Sequence, residues 1–140
     1  MVTVGKLGRF SFPAGYYVYT GSARRGLESR IARHLRKEKR LRWHIDYLLR
    51  YGDIVEAKRY RGGRLSECEL SRKAEGLPGK NIVAPGFGSS DCKCSTHLFH
   101  FRRNPALELG MILYSSSRRR PRRAVCRIGG TIRRRRIGNR

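Results

Sequence analysis

The chain has 140 residues, with 33 Lys and Arg against 10 Asp and Glu, a formal net charge of +23. That length suits one domain with a modest core. With no apolar run approaching the roughly 20 residues a membrane helix needs, and no signal peptide at its start, the sequence excludes a helical membrane protein.

Eleven arginines lie in residues 115–140, a stretch without acids, yet the other 22 basic residues against 10 acidic ones leave the body at about +12. A basic body favours a polyanion through phosphate contacts and counterion release. Nucleic acid is the expected partner and an anionic membrane surface the weaker alternative. The cysteines are Cys68, Cys92, Cys94 and Cys126. Without a secretory context they read as reduced thiols or metal ligands in a cytoplasmic protein.

Residues 1–12 read as extended, with Val2 and Val4 alternating and Phe10 and Phe12 alternating after a glycine-containing turn. Pro13-Ala14-Gly15 predicts a turn into a strand made of Tyr16, Tyr17, Val18 and Tyr19, and hence an antiparallel hairpin. Thr20, Gly21 and Ser22 break that strand with small residues, which let backbone bend and approach a ligand. A helix follows from near Gly26. Leu27, Ile31 and Leu35 form its apolar stripe, with Arg30 and His34 on a second stripe beside it. A tyrosine strand, a glycine turn and a helix carrying Arg and His suit the grip of a phosphate. Arg offers a bidentate fork, Tyr a hydroxyl, and the helix N-terminus its free N–H groups.

Arg33, Arg36, Lys37, Lys39, Arg40 and Arg42 then crowd the end of this helix. They are either a solvated terminus, where cations are favoured, or a phosphate-tracking patch that binds nucleic acid. A short helix is predicted over residues 43–50, with Trp43, Ile45, Tyr47, Leu48 and Leu49 toward the core. His44 and Asp46 read as polar partners around it, with a catalytic His44 as the alternative. Residues 54–60 predict a strand ending in a turn at Arg61-Gly62-Gly63-Arg64. Ser66 and Glu69 have the spacing of a capping box, which occupies Glu69 and leaves Glu67 free.

Residues 76–90 are a Gly/Pro/Ser-rich loop, and Cys92-x-Cys94-x-x-His97 leads from it into a last strand, His97 to Phe101. With Cys68 these residues make a Cys, Cys, Cys, His set suited to tetrahedral zinc. The alternative is a group of buried thiols lining a loop. Residues 104–140 read as a basic, low-complexity tail, disordered on its own. It is either an adhesive arm for nucleic acid or an extension without a role.

Tyr19-Thr20-Gly21-Ser22, followed by Arg30 and His34, resembles the second half of the GIY-YIG nuclease signature. The resemblance is to a small branch of uncharacterised, largely archaeal proteins, sometimes fused to endonuclease III-like repair enzymes. It extends to Trp43-His44-Ile45-Asp46-Tyr47-Leu48, Glu67-Cys68-Glu69-Leu70 and Gly86-Phe87-Gly88-Ser89-Ser90-Asp91-Cys92 through Phe101, roughly residues 2 to 101. It implies an α+β fold, a small and mostly antiparallel sheet flanked by about three helices, over residues 1–103. It also implies an earlier strand, carrying the GIY tyrosine and antiparallel to the YIG strand, upstream of the segment matching Met1. Tyr17 shares a strand face with Tyr19 and is the candidate to substitute for that tyrosine.

The activity so implied is one-metal hydrolysis of a phosphodiester in structured or damaged DNA, with DNA preferred over RNA and a repair protein as a partner. Glu67 would hold Mg²⁺ or Mn²⁺, with Glu69 the runner-up, because the family's glutamate is followed three residues later by an apolar residue, here Leu70. Arg30 would clamp the phosphate, Tyr19 would orient or deprotonate the attacking water, and His34 would be a supporting donor or alternative base. Both glutamates simply complementing the helix N-terminus is the competing reading. Two other functions stay open: a non-catalytic nucleic-acid binder on this scaffold, and a basic ribosome-associated factor.

Overall fold

A computed structural model describes residues 1–23, 26–61, 66–105 and 126–134. In chain order the elements are β1 (Val2–Val4), β2 (Gly8–Phe10), β3 (Gly15–Ala23), α1 (Leu27–Leu35), α2 (His44–Leu49), β4 (Gly52–Arg61), α3 (Glu67–Glu75), β5 (Leu98–Phe101) and β6 (Cys126–Arg134). The fold is α+β. A two-stranded sheet, β1-β2, accompanies a four-stranded sheet of order β4-β6-β3-β5, and every pairing is antiparallel. No helix among the described residues is long and apolar enough to cross a membrane.

Strand β3 is buried on both faces because alternate side chains feed two separate cores. Tyr17 belongs to a cluster with Val4, Phe12, Leu48, Phe87 and Leu98, and Tyr19 packs against its edge. Val18, on the opposite face, meets Phe99 and Phe101 of β5 together with Ala74 and Leu77 from the end of α3. Each fully buried side chain of this size contributes roughly 1.5–3 kcal/mol. A third, smaller cluster of Ala23, Leu27 and Ile31 lays α1 over Ala57 of β4.

Three expectations are corrected here. Pro13-Ala14-Gly15 does not close a hairpin between β2 and β3. The hairpin is β1-β2, with Leu7 N–H bonded to Val4 O at 2.9 Å, and β3 pairs with β5 and β6 instead. In α1 the buried stripe is Leu27, Ile31 and His34, while Leu35 is 56% exposed. The helix stops at Leu35, and the imidazole of His34 packs on Trp43 with ring centroids 5.4 Å apart, so His34 takes the inward position.

The third correction concerns the tail predicted as disordered over residues 104–140. Cys126–Arg134 form β6, paired with β3 along its whole length from Gly15↔Arg134 to Ala23↔Cys126 and with β4 on the other side. Without that strand, nine residues of β3 would carry a row of unpaired backbone donors and acceptors. Ile128, Thr131 and Ile132 are β-branched residues suited to the position. The predicted turn at residues 61–64 lies largely outside the described residues, as do tail residues 106–125 and 135–140.

Asp46 organises the segment between α1 and α2. It is fully buried and accepts both arms of the Arg33 guanidinium at 2.9 Å, plus the amides of Arg42 at 2.8 Å and Trp43 at 2.9 Å. Burial alone would raise its pKa. The nearby His34 ring and the Arg33 fork first, then the two amides, outweigh that and hold the carboxyl far below the usual carboxylate range. Lys39 completes the arrangement, donating to the His34 carbonyl at 2.7 Å with its ammonium 4.0 Å from Asp46.

Candidate functional site

The small residues after Tyr19 explain how its ring is held. Tyr19 and Gly21 are two apart on one strand, hence on one face. A Cβ at Gly21 would come within 3.3 Å of the tyrosine ring, and one at Gly88 within 3.1 Å of it and 3.2 Å of His97. Gly88 also has φ of +72°, where a side chain is strained. The ring therefore lies between two glycines, with Phe87 edge-on at 6.2 Å. Burial first, then the nearby Glu67 carboxylate, pushes the phenol pKa well up, so Tyr19 keeps its proton.

Around Tyr19 opens a cleft of about 610 Å³. β3 contributes Tyr19, Gly21 and Ser22, α1 contributes Arg30, and α3 contributes Glu67. The segment entering α2 supplies Arg42, Trp43 and His44, and the loop before β5 supplies Gly88, Ser90 and Asp91. The Arg30 guanidinium is positioned by stacking on the Trp43 ring, 4.2 Å from its centroid. His44 accepts the Gly88 N–H at Nδ1, 2.9 Å away. Burial lowers its pKa, so the ring is neutral and carries its proton on Nε2.

Glu67 stands at the start of α3, where Ser66 and Glu69 close the capping box. Ser66 Oγ accepts from the Glu69 amide at 3.1 Å, and the Glu69 carboxylate accepts from the Ser66 amide. This fixes Glu69 at the helix end and turns Glu67 to the cleft. Ser22 Oγ donates to Glu67 Oε2 at 2.5 Å, and His97 Nδ1 lies 2.7 Å from Oε1. Burial disfavours the charge, yet the His97 and Ser22 hydrogen bonds prevail and keep Glu67 below its ordinary pKa, hence ionised.

Behind Glu67 lies a second constellation. Donor atoms of Cys68, Cys92, Cys94 and His97 all fall within 4.8 Å of one another, a set that could hold a metal ion. His97 Nε2 is 3.4 Å from Cys92 Sγ and 4.0 Å from Cys68 Sγ. Cys68, remote in sequence, is delivered by the first turn of α3 to the loop bearing the other two thiols. Burial and the two neighbouring thiols push Cys94 up to about 12, as expected where thiols crowd together.

The structure brings Tyr19, Arg30, Arg42 and Glu67 together and leaves other candidates elsewhere. Tyr17 is fully buried; its hydroxyl donates to the Pro13 carbonyl at 2.6 Å and its ring packs between Phe12 and His100. It does not line the cleft, because two residues along β3 carry it into the core beneath. His34 is likewise buried, between Trp43 and Asp46. Of the basic patch, Arg33 and Lys39 turn inward to Asp46, and Lys37 pairs with Asp53 at the surface. Arg36 and Arg40 are exposed, and Arg42 reaches the cleft. Ser22, Trp43 and Asp91 are cleft residues to which the sequence reading gave no role in a site, while His44, its alternative catalytic residue, lines the cleft as well. For Asp91 the available signal was its place beside Cys92 at the end of the glycine-rich loop.

Residues 1–117 match the family described as domain of unknown function DUF123. The chain belongs to the DUF123 family. No curated protein and no solved structure matches it. The match contains every cleft residue of this DUF123 chain and all four members of the Cys and His cluster.

Proposed function

We propose that this chain hydrolyses phosphodiester bonds in structured or damaged DNA, with the Tyr19, Arg30 and Glu67 cleft as its active site and the cytoplasm as its location. The observation that carries this reading is that a phenol, a guanidinium and an ionised carboxylate from three separate elements line one cleft. The basic surface supplies the attraction to the polyanion.

The donor set of the cleft fits a hard cation. Mg²⁺ and Mn²⁺ take one or two carboxylates and keep water on their other positions. Glu67 is ionised, and each of its oxygens, engaged once, retains lone-pair capacity; Asp91 is a second carboxylate on the same cleft. Glu67 and Asp91 would hold such an ion, which would supply positive charge to offset the charge developing on the leaving oxygen. Arg30, held by Trp43, clamps the scissile phosphate with Arg42 beside it. Tyr19 and His44 act as hydrogen-bond donors to phosphate or water: the phenol holds its proton, and the imidazole has committed Nδ1 to Gly88. Among the described cleft residues this leaves a carboxylate, Asp91 or Glu67, to accept the proton of the attacking water. Three cysteine sulfurs and one imidazole in the adjoining cluster are a donor set that would suit Zn²⁺, which would hold the sulfurs as thiolates.

One observation favours the second reading, a binder without cleavage: among the described residues the cleft holds a single tyrosine, and Tyr17 does not reach it. A nicking assay on branched and lesion-bearing duplexes with Mg²⁺ or Mn²⁺ separates the two. Wild type is expected to cut, and Arg30→Ala and Glu67→Gln to lose about 10²–10³-fold in rate while still binding. Binding without cutting by wild type would establish the binder, and a preference for ribosomal RNA would establish the ribosome-associated alternative.

A further inference from the structure

His97 faces two sites at once. Its Nε2 lies among the thiols, 3.4 Å from Cys92 Sγ, while its Nδ1 lies 2.7 Å from Glu67 Oε1. A metal ion takes an imidazole nitrogen that has no proton, so an ion held through Nε2 obliges the proton to sit on Nδ1. That proton then donates to Glu67. A carboxylate behind a ligating histidine fixes the ring's orientation and strengthens its basicity.

We infer that Glu67 is the positioning carboxylate of the Cys68, Cys92, Cys94 and His97 metal site, and that this site in turn sets where Glu67 stands in the cleft. The inference rests on the reading of the cluster as a metal site and not on cleavage. The chain geometry supports the coupling from both ends. Glu67 and Cys68 are consecutive on the first turn of α3, one directed to the cleft and the other to the thiols. The loop carrying Cys92 and Cys94 also carries Gly88 and Asp91, which line the cleft. His97 N–H further bonds the Phe87 carbonyl at 2.7 Å, tying the histidine to the wall on which Tyr19 rests. His97 is 2% exposed and Glu67 24%, so the pair is shielded on the metal side and open on the cleft side. An ion on Nε2 would leave Nδ1–H as the only tautomer, and so would assure Glu67 of a donor on Oε1.

The test uses the full chain and Zn²⁺ itself. Wild type is expected to bind one equivalent of Zn²⁺, and its Co²⁺-substituted form to show thiolate-to-metal charge-transfer absorption. Cys92→Ser and Cys94→Ser should abolish both. In chelator competition Glu67→Gln is expected to weaken Zn²⁺ affinity by about 10–100-fold, whereas Arg30→Ala, in the same cleft, leaves it unchanged. An independent measurement requires no variant: the long-range ¹H–¹⁵N spectrum of the Zn²⁺-loaded chain should show His97 protonated on Nδ1 and metal-bound through Nε2. Failure to bind Zn²⁺ or Co²⁺ would overturn the metal reading of the cluster. Zn²⁺ binding with unchanged affinity in Glu67→Gln, or with His97 as the opposite tautomer, would overturn the coupling while leaving the metal site intact.

Discussion

Asp46 shows how a single side chain decides which basic residues remain available to a partner. Its carboxylate collects Arg33, two backbone amides and the approach of Lys39, all inside a segment whose sequence reads as a continuous cationic run. Removing it leaves the Arg33 charge half-buried and unpaired, so Asp46→Ala is expected to cost about 3–5 kcal/mol. The pH dependence follows in sign from the depressed pKa. The stabilisation is present above the unfolded value of about 3.9 and is lost as pH falls through and below it. Denaturant titrations should therefore show wild type losing stability steeply below that value and Asp46→Asn much less. Parallel slopes for the two proteins would show that Asp46 does not carry the effect. The same site explains a limit of sequence reading. Charge counts do not distinguish Arg33, folded inward onto a buried acid, from Arg36, which faces solvent.

The elements divide into those legible in the sequence and those set by distant contacts. The helix at Glu67–Glu75 was legible because its start signal is local, a serine and a glutamate three residues apart, and the same box separated the roles of Glu69 and Glu67. The existence of β4, read over residues 54–60 and observed over Gly52–Arg61, and the apolar residues of α2 were similarly visible in propensity and spacing. The face buried by α1 was not. Its final turn is set by Trp43, whose ring receives His34, Arg30 and Arg33, and that meeting depends on the α1–α2 connection. The segment after α1 therefore presents fewer cations than its composition suggests. Arg36→Ala with Arg40→Ala should lower the salt dependence of DNA binding, by about 1–2 in the slope of log K against log salt. An unchanged slope would place the phosphate contacts elsewhere on the molecule.

At the scale of the whole molecule, the sheet is completed by the segment that the sequence least suggested. β6 lies between β3 and β4, so residues near the two ends of the chain are neighbours in one ladder. Local composition there is dominated by arginine, and only the exposed ladder edges of β3 and β4 call for a strand. β6 meets the tyrosine strand through two glycines, with Gly130 opposite Tyr19 and Gly129 opposite Thr20. The resulting site is asymmetric. One phenol and one stacked guanidinium stand on the sheet and α1 side, and one carboxylate stands on α3 with a thiol-rich cluster behind it.

The central claim is that this cleft acts on a phosphodiester, and the planar fork of Arg30 is its most exacting part, since an ammonium keeps the charge and loses the bidentate grip. The decisive measurement is the single-turnover rate of Mg²⁺-dependent DNA cleavage by wild type and by Arg30→Lys at matched occupancy. The account predicts that wild type cuts and that the lysine variant is slower by about 10²-fold or more with nearly unchanged binding. Equal rates in the two proteins, or no cleavage by either, would contradict it.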